Sequence, residues 1–199
     1  MDSAKTPSIV ATLRRRCGNI LRRLGLRLGD KGYQSETSKC RSRLAPFCRG
    51  YGVDLGFGGD PITSGAIRVD SPQPYAETGN APVQLGGDAT DLHWFRDGVL
   101  DYIYSSHLLE DFPDTGGALR EWLRVLKVGG NLIIFCPNEQ IYRAHCQRTG
   151  QIYNENHKHA DFSLEKVKGL LQEIGGVKFI HETALVDVYS WELVAQKTL

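Results

Sequence analysis

Tyr51-Gly52-Val53-Asp54-Leu55-Gly56-Phe57-Gly58-Gly59-Asp60 is the stretch on which the reading of the fold turns. It has the form of a short buried strand running into a glycine turn. Gly56, Gly58 and Gly59 carry no β-carbon, so the backbone can turn sharply there and lie close against a ligand. Asp54 stands just before the turn, where a carboxylate can face a ligand's polar head. A glycine loop behind a parallel strand is where open α/β sheets bind nucleotides. The spacing alone suits a plain tight turn equally well. What separates the two readings is the order of features that follows.

Ile67-Arg68-Val69-Asp70 reads as the second strand. A parallel pair normally needs a crossover of about a dozen residues or more. Residues 60–66 are too few, and too broken by Pro61 and Gly65, for a full crossover helix, so the first crossover is expected to shrink to a turn. Asp70 ends the second strand, where nucleotide folds place an acid under the ribose hydroxyls. Residues 83–85 form a candidate third strand, followed by Gly86-Gly87-Asp88-Ala89. Leu100-Asp101-Tyr102-Ile103-Tyr104 is rich in β-formers and reads as the fourth strand, running on into Ser105-Ser106-His107-Leu108-Leu109-Glu110-Asp111. Residues 115–127 carry an apolar helical face in Ala118, Leu119, Trp122, Leu123, Val125 and Leu126, stopped by Gly129-Gly130. Residues 131–136, centred on Leu-Ile-Ile-Phe, read as a buried fifth strand. Such apolar runs fit a parallel sheet covered on both faces.

In this order the motifs resemble class I S-adenosylmethionine-dependent methyltransferases, most of all the methyltransferase type 11 group. The resemblance rests on Asp54-Leu55-Gly56-Phe57-Gly58, Gly65-Ala66-Ile67-Arg68-Val69-Asp70, Gly87-Asp88-Ala89, Ser106-His107-Leu108-Leu109-Glu110-Asp111 and Arg124-Val125-Leu126-Lys127-Val128-Gly129-Gly130. It runs from about Gly50 to the end of the chain. It implies a Rossmann-like α/β fold: a mostly parallel seven-stranded sheet, helices on both faces, an antiparallel last strand. It implies S-adenosyl-L-methionine as cofactor, with Asp54 and Gly56 at its methionine end, Gly58 as a backbone contact, Asp70 on the ribose, Asp88 and Ala89 at the adenine, and Ser105 at the edge of the cofactor cleft. The chain departs from the pattern at three points. Asp60 stands where a third loop glycine is often found, Asp111 replaces a usual histidine, and Val128 replaces a usual proline.

The chain has 199 residues, 41% hydrophobic and 24% charged, enough for one domain with a sizeable core. Its net charge of +1 is unevenly spread. Through Arg49 there are twelve Lys and Arg against three acids, a balance of +9 that leaves −8 for the remainder. Ile9, Val10, Leu13, Cys17, Ile20, Leu21, Leu24 and Leu28 recur at helical steps, with arginines opposite. A helix of this kind can pack on the domain or serve as a cofactor lid, lie on an anionic membrane surface, grip RNA, or act as a transit peptide. Residues 30–42 are polar and irregular and read as a linker. The expected division is therefore a basic helix and linker over 1–42 and a methyltransferase-like domain over 43–199. The five cysteines, Cys17, Cys40, Cys48, Cys136 and Cys146, show no CxxC spacing, which indicates neither a zinc site nor a disulfide framework. Reduced thiols, no apolar run of membrane-spanning length and no signal peptide together suggest a cytoplasmic protein.

In the C-terminal third, Ser163 is a helix cap ahead of the stripe Leu164, Val167, Leu170, Leu171 and Ile174. Residues 177–182 and 187–196 read as a terminal β-hairpin. Segments behind the fourth and fifth strands lie at the carboxyl edge of the sheet, where ligands bind. Tyr142, His145, His157 and His159 are therefore candidates for substrate contact, and His107 for catalysis, because imidazole titrates near neutrality and can take a proton from a hydroxyl. His157 and His159 stand two residues apart with no partner pattern, so no metal site is expected. No Asn/Asp-Pro-Pro-aromatic motif follows the fourth strand, and the resemblance then argues against methylation of DNA base amines. The expected function is methyl transfer to oxygen on a small molecule, glycan precursor or natural product. An NAD(P)-dependent oxidoreductase shares the glycine turn and Asp70 but lacks G-x-G-x-x-G. A non-catalytic cofactor-binding or membrane-docking module is the remaining alternative.

Overall fold

The computed structural model describes residues 34–72 and 81–199. At its centre is β1 (Gly52–Leu55), all four residues of which are buried. It pairs in parallel with β2 (Ile67–Asp70) on one side and with β4 (Leu100–Ser106) on the other. β3 (Leu85–Gly86) extends the sheet beyond β2, and β5 (Leu126–Pro137) lies parallel to β4. A terminal hairpin of β6 (Val177–Val186) and β7 (Ser190–Lys197) adds β7 antiparallel to β5. The order is β3-β2-β1-β4-β5-β7-β6. This is the expected mostly parallel, seven-stranded Rossmann-like sheet with an antiparallel last strand. β5 starts earlier than the sequence suggests, because the Gly129-Gly130 pair lies within the strand, Gly129 at φ 82.

The crossover between β1 and β2 is a run of turns with no helix, as its length requires. Gly52 permits a close approach in this region: a β-carbon there would lie 2.4–2.5 Å from the Tyr102 ring that packs across β1.

Among the described residues, three helices lie in the connections and one precedes the sheet. α1 (Glu36–Leu44) comes first; α2 (Thr115–Val125) joins β4 to β5; α3 (Glu139–Thr149) and α4 (Leu164–Ile174) follow β5. One face of the sheet packs Val53, Leu55, Ile103, Leu132, Ile134 and Leu193 against Leu119, Trp122 and Leu123 of α2 and Val167 and Leu171 of α4. The other face packs Tyr102, Tyr104, Ile133, Phe135 and Val194 against Cys40 and Leu44 of α1. Helices thus cover both faces. Trp122 and Trp191 are fully buried, and each indole N–H finds a carbonyl, Ala89 at 2.7 Å and Pro137 at 2.9 Å. Buried tryptophans normally need such a partner.

α1 corrects the linker expected over residues 30–42. Its buried side is Thr37, Cys40 and Leu44, steps of three and four that mark one helical face. Ser35 caps it by accepting from the Ser38 N–H at 2.9 Å. Arg43 ties it to the hairpin: Nε donates to buried Glu192 at 2.5 Å and Nη2 to Asp187 at 2.7 Å. The amphipathic head read at residues 9–28 lies outside the described residues.

Candidate cofactor and acceptor site

The carboxyl ends of β1, β2 and β4 meet at one edge. The glycine loop leaves β1 with Gly56, Gly58 and Gly59 at φ 68, 58 and 86, the left-handed region that glycine enters without penalty. Asp54 is fully buried; its Oδ2 accepts from the Ile62 N–H at 2.6 Å, closing the loop back on the strand. Its Oδ1 has no partner. Burial pushes this carboxyl well above its usual range, against the Ile62 hydrogen bond, which pulls it down. Asp70 reaches over the loop, accepting from the Gly58 N–H at 3.1 Å and the Ser71 N–H at 2.8 Å.

Asp60 shows why the third loop glycine is dispensable here. Its side chain accepts from Arg41 at 2.5 Å and from the Ser35 hydroxyl, fastening the loop to the N-cap and second turn of α1. No helix follows the loop, so no helix N-terminus is aimed at a pyrophosphate as dinucleotide sites require. That absence weighs against the oxidoreductase alternative.

The remaining predicted cofactor residues occupy distinct places. Asp88 is exposed and accepts from the Thr90 N–H at 2.8 Å and the Thr90 hydroxyl at 2.7 Å. The Ala89 carbonyl holds the Trp122 indole, so this loop is fixed to α2. Ser105 is buried and donates to the Leu55 carbonyl at 3.3 Å, joining the ends of β1 and β4. Its neighbour Ser106, which sequence reasoning passed over, has a buried hydroxyl without a hydrogen-bond partner.

His107 begins the connection out of β4 at φ 49, a strained conformation for a residue with a side chain. Its N–H donates to the Phe135 carbonyl at 2.8 Å. Its Nε2 lies 3.2 Å from Ser190 Oγ and 3.4 Å from Glu36 Oε2, and its ring 5.2 Å from that of Phe135. Burial lowers its pKa to about 4. His157 and Tyr142 lie close by, rings 5.1 Å apart. Tyr142 also touches Tyr153 at 5.6 Å and Tyr189 at 5.0 Å, and His145 lies against Tyr189 at 5.4 Å with the rings tilted. Tyr142, His145 and His157 therefore share one aromatic wall. His159 faces elsewhere: its Nε2 donates to the Phe112 carbonyl at 2.8 Å and lies 3.0 Å from the Thr115 hydroxyl, at the start of α2. Among the described residues, no group of three or more His, Cys, Asp or Glu could hold a metal ion. Cys136 is a core thiol whose Sγ donates to Glu110 Oε2 at 3.3 Å.

Comparison with known proteins agrees with this fold. The family model of the methyltransferase domain matches residues 44–134. No curated protein matches in sequence. Among solved structures, a Thermotoga maritima S-adenosylmethionine-dependent methyltransferase, described as a possible histamine N-methyltransferase, is 20% identical with a TM-score of 0.61, covering 94% of this chain and 99% of that one. The protein that Haloferax volcanii pairs with its Trm112 methyltransferase activator is 18% identical at TM-score 0.60, over 82% and 89% of the two chains. An Archaeoglobus fulgidus S-adenosylmethionine-dependent methyltransferase is 17% identical at 0.59, over 81% and 92%. Residues 44–134 match the methyltransferase domain model, in a fold shared with S-adenosylmethionine-dependent methyltransferases, and the protein is a methyltransferase enzyme. The edge suits the cofactor, S-adenosyl-L-methionine: a buried orphan carboxylate oxygen on Asp54 for a cationic head, left-handed glycines for close approach, and an acid at the end of β2.

Proposed function

We propose that this chain methylates oxygen on a small molecule, glycan precursor or natural product. The observation that carries the reading is His107. It is a buried imidazole, uncharged near neutral pH, held at the carboxyl edge beside an aromatic wall. When bound, S-adenosylmethionine supplies an activated methyl group. The protein then needs to place a nucleophile in line and exclude water, and to accept the hydroxyl proton. In this reading Asp54, Gly56 and Gly58 hold the methionine end, Asp70 the ribose, and Asp88 and Ala89 the adenine. Ser105 fixes the floor between β1 and β4. Tyr142 and His145 face the acceptor, His157 backs them from the buried side, and His159 lies against the start of α2. The domain extends from Gln34 onward, and the basic segment before it would be available for peripheral contact with an anionic membrane. No nucleic acid substrate is favoured. Among the described residues no helix is long and apolar enough to cross a membrane, in keeping with a cytoplasmic enzyme.

Calorimetry tests the cofactor. S-adenosylhomocysteine should bind and raise the melting temperature by mass action, and NAD should not. Radiolabelled methyl transfer to a panel of phenols, sugars and amines then tests the acceptor. Transfer to amines alone would overturn the oxygen assignment.

A further inference from the structure

Behind His107 lies a buried acid that the cofactor site does not use. Glu110, from the 3-10 turn Leu109–Asp111, is fully buried. Its Oε2 accepts from the Cys136 thiol. Its Oε1 has no hydrogen-bond partner, yet it stands 3.7 Å from His107 Nδ1 and 3.7 Å from His157 Nε2. His157 is itself only 5% exposed, and its Nδ1 lies 2.8 Å from Glu139 Oε2. Glu139, at the start of α3, is buried and receives Arg143 Nε at 2.6 Å and the Tyr153 hydroxyl at 2.5 Å on its other oxygen. The Lys158 N–H donates to the Glu110 carbonyl at 3.0 Å, which pins the His157 segment against the turn.

We propose that His107, Glu110 and His157 form a proton-transfer chain that draws the acceptor's hydroxyl proton away from the methyl-transfer site and leaves the positive charge on His157, beside Glu139. The proposal rests on the oxygen-methylation reading above, because that reaction releases the proton.

The contacts allow one set of tautomers that carries a proton through every link. The Cys136 thiol donates to Glu110 Oε2, so Oε2 serves as the carbonyl oxygen and Oε1 carries the proton. His157 donates from Nδ1 to Glu139, which leaves Nε2 bare and facing Oε1. His107 Nε2 faces the Ser190 hydroxyl and Glu36, and Nδ1 faces Oε1. A carboxylic hydroxyl can accept from one imidazole and donate to the other. In the transfer the methyl carbon leaves sulfur, which keeps the electron pair, and bonds to the acceptor oxygen. The oxygen's proton passes to His107 Nε2. His107 gives its Nδ1 proton to Glu110 Oε1, and Glu110 gives its own to His157 Nε2. One positive charge ends on His157, against Glu139. The two 3.7 Å separations exceed the 2.7–3.2 Å of a formed bond, as is common for catalytic hydrogen bonds before the reacting complex assembles. The protonation states agree. Burial, with nearby Asp111 and Glu139 adding to it, raises Glu110 to about 8, while the Cys136 contact opposes. Burial, with Lys39 and His157 adding to it, lowers His107, while Glu36 opposes. Near pH 7 the pair is thus a neutral acid beside a neutral imidazole, not a static salt bridge. Glu110, His157 and Glu139 act through His107 and are positioning residues.

Nuclear magnetic resonance of the full chain saturated with S-adenosylhomocysteine provides the test and needs no acceptor. Long-range nitrogen-proton spectra at pH 7 should show His107 neutral and both His107 and His157 carrying a proton at Nδ1. The Glu110 carboxyl carbon should stand at its protonated position and move only as the pH nears 8. In His157→Gln the Glu110 titration should shift by half a pH unit or more, and in Tyr153→Phe by less. An ionised Glu110 beside a cationic imidazole at pH 7 would overturn the chain, as would a Glu110 titration indifferent to His157→Gln. The wild-type spectra decide the matter even if the variant fails to fold. Failure of S-adenosylhomocysteine to bind would instead sink the methyl-transfer reading, and with it the source of the proton.

Discussion

At the scale of the residue, Asp70 holds the Gly58 N–H, and so the shape of the glycine loop; under the function proposed above it also takes the ribose hydroxyls. Hydrogen bonds to a charged group contribute about 1.5–3 kcal/mol, and 1.4 kcal/mol is a tenfold change in affinity. Asp70→Ala should therefore weaken S-adenosylhomocysteine binding by about 10-fold to 100-fold. Asp70→Asn should lose less, because its amide oxygen still accepts. Titration calorimetry beside a melting curve separates this from a merely structural role, in which affinity stays put and only the melting temperature falls. Asp54 and Asp70 were legible in the sequence because each closes a short strand beside a glycine turn. Glu110, Glu139 and Ser190 were not legible as site residues. Each sits in a different stretch of sequence, and nothing local marks a carboxylate that becomes buried only when β4, β5, α3 and β7 come together.

At the scale of the element, the glycine loop and α1 form one unit through Asp60. Arg41 and Asp60 are each about one-third exposed, so solvent screening limits what the pair contributes, about 1 kcal/mol or less. Its effect on geometry is larger than its effect on stability, because the loop it holds is the one expected to meet the cofactor. Asp60→Ala should lower the melting temperature by no more than about 2–4 °C for a chain of this size, while reducing S-adenosylhomocysteine affinity more than the stability loss explains. Arg41→Ala should do the same, and the double variant should fall short of the sum, since contacting residues couple. Additive effects would show that Asp60 and Arg41 act separately. The elements themselves divide by how much apolar pattern each carries. The hairpin alternates and α2 presents a full apolar face, so both could be read. α1 buries only Thr37, Cys40 and Leu44, and α3 only Glu139, Tyr142 and Cys146. Two helices with mostly polar sequences were thus invisible to periodicity, and α1 was read as a linker for that reason.

At the scale of the whole molecule, the buried pair of Glu110 and His107 makes stability depend on pH in a calculable way. Glu110 titrates near 4.5 when exposed and at about 8 in the fold. Its folded form therefore holds a proton that the unfolded form has lost, and stability falls as pH rises between those values. His107 titrates near 6.5 when exposed and at about 4 in the fold. Its unfolded form holds the extra proton, and stability falls as pH drops between those values. From about 4.5 to 6.5 the two slopes oppose and cancel. From 6.5 to 8 only the Glu110 slope of the pair survives, about 1.4 kcal/mol per pH unit, or about 2 kcal/mol across that span. Asp54, also raised by burial, acts in the same direction but is common to wild type and variant, so it drops out of their difference. Urea unfolding of wild type and Glu110→Gln at pH 6.5, 7.2 and 8 isolates the effect. Wild type should lose about 2 kcal/mol more than the variant between the first pH and the last, whatever the absolute stability of either. Parallel pH dependences would show that Glu110 is already ionised at neutrality. The acid would then be a fixed counter-charge for His107 and His157, unable to pass a proton between them.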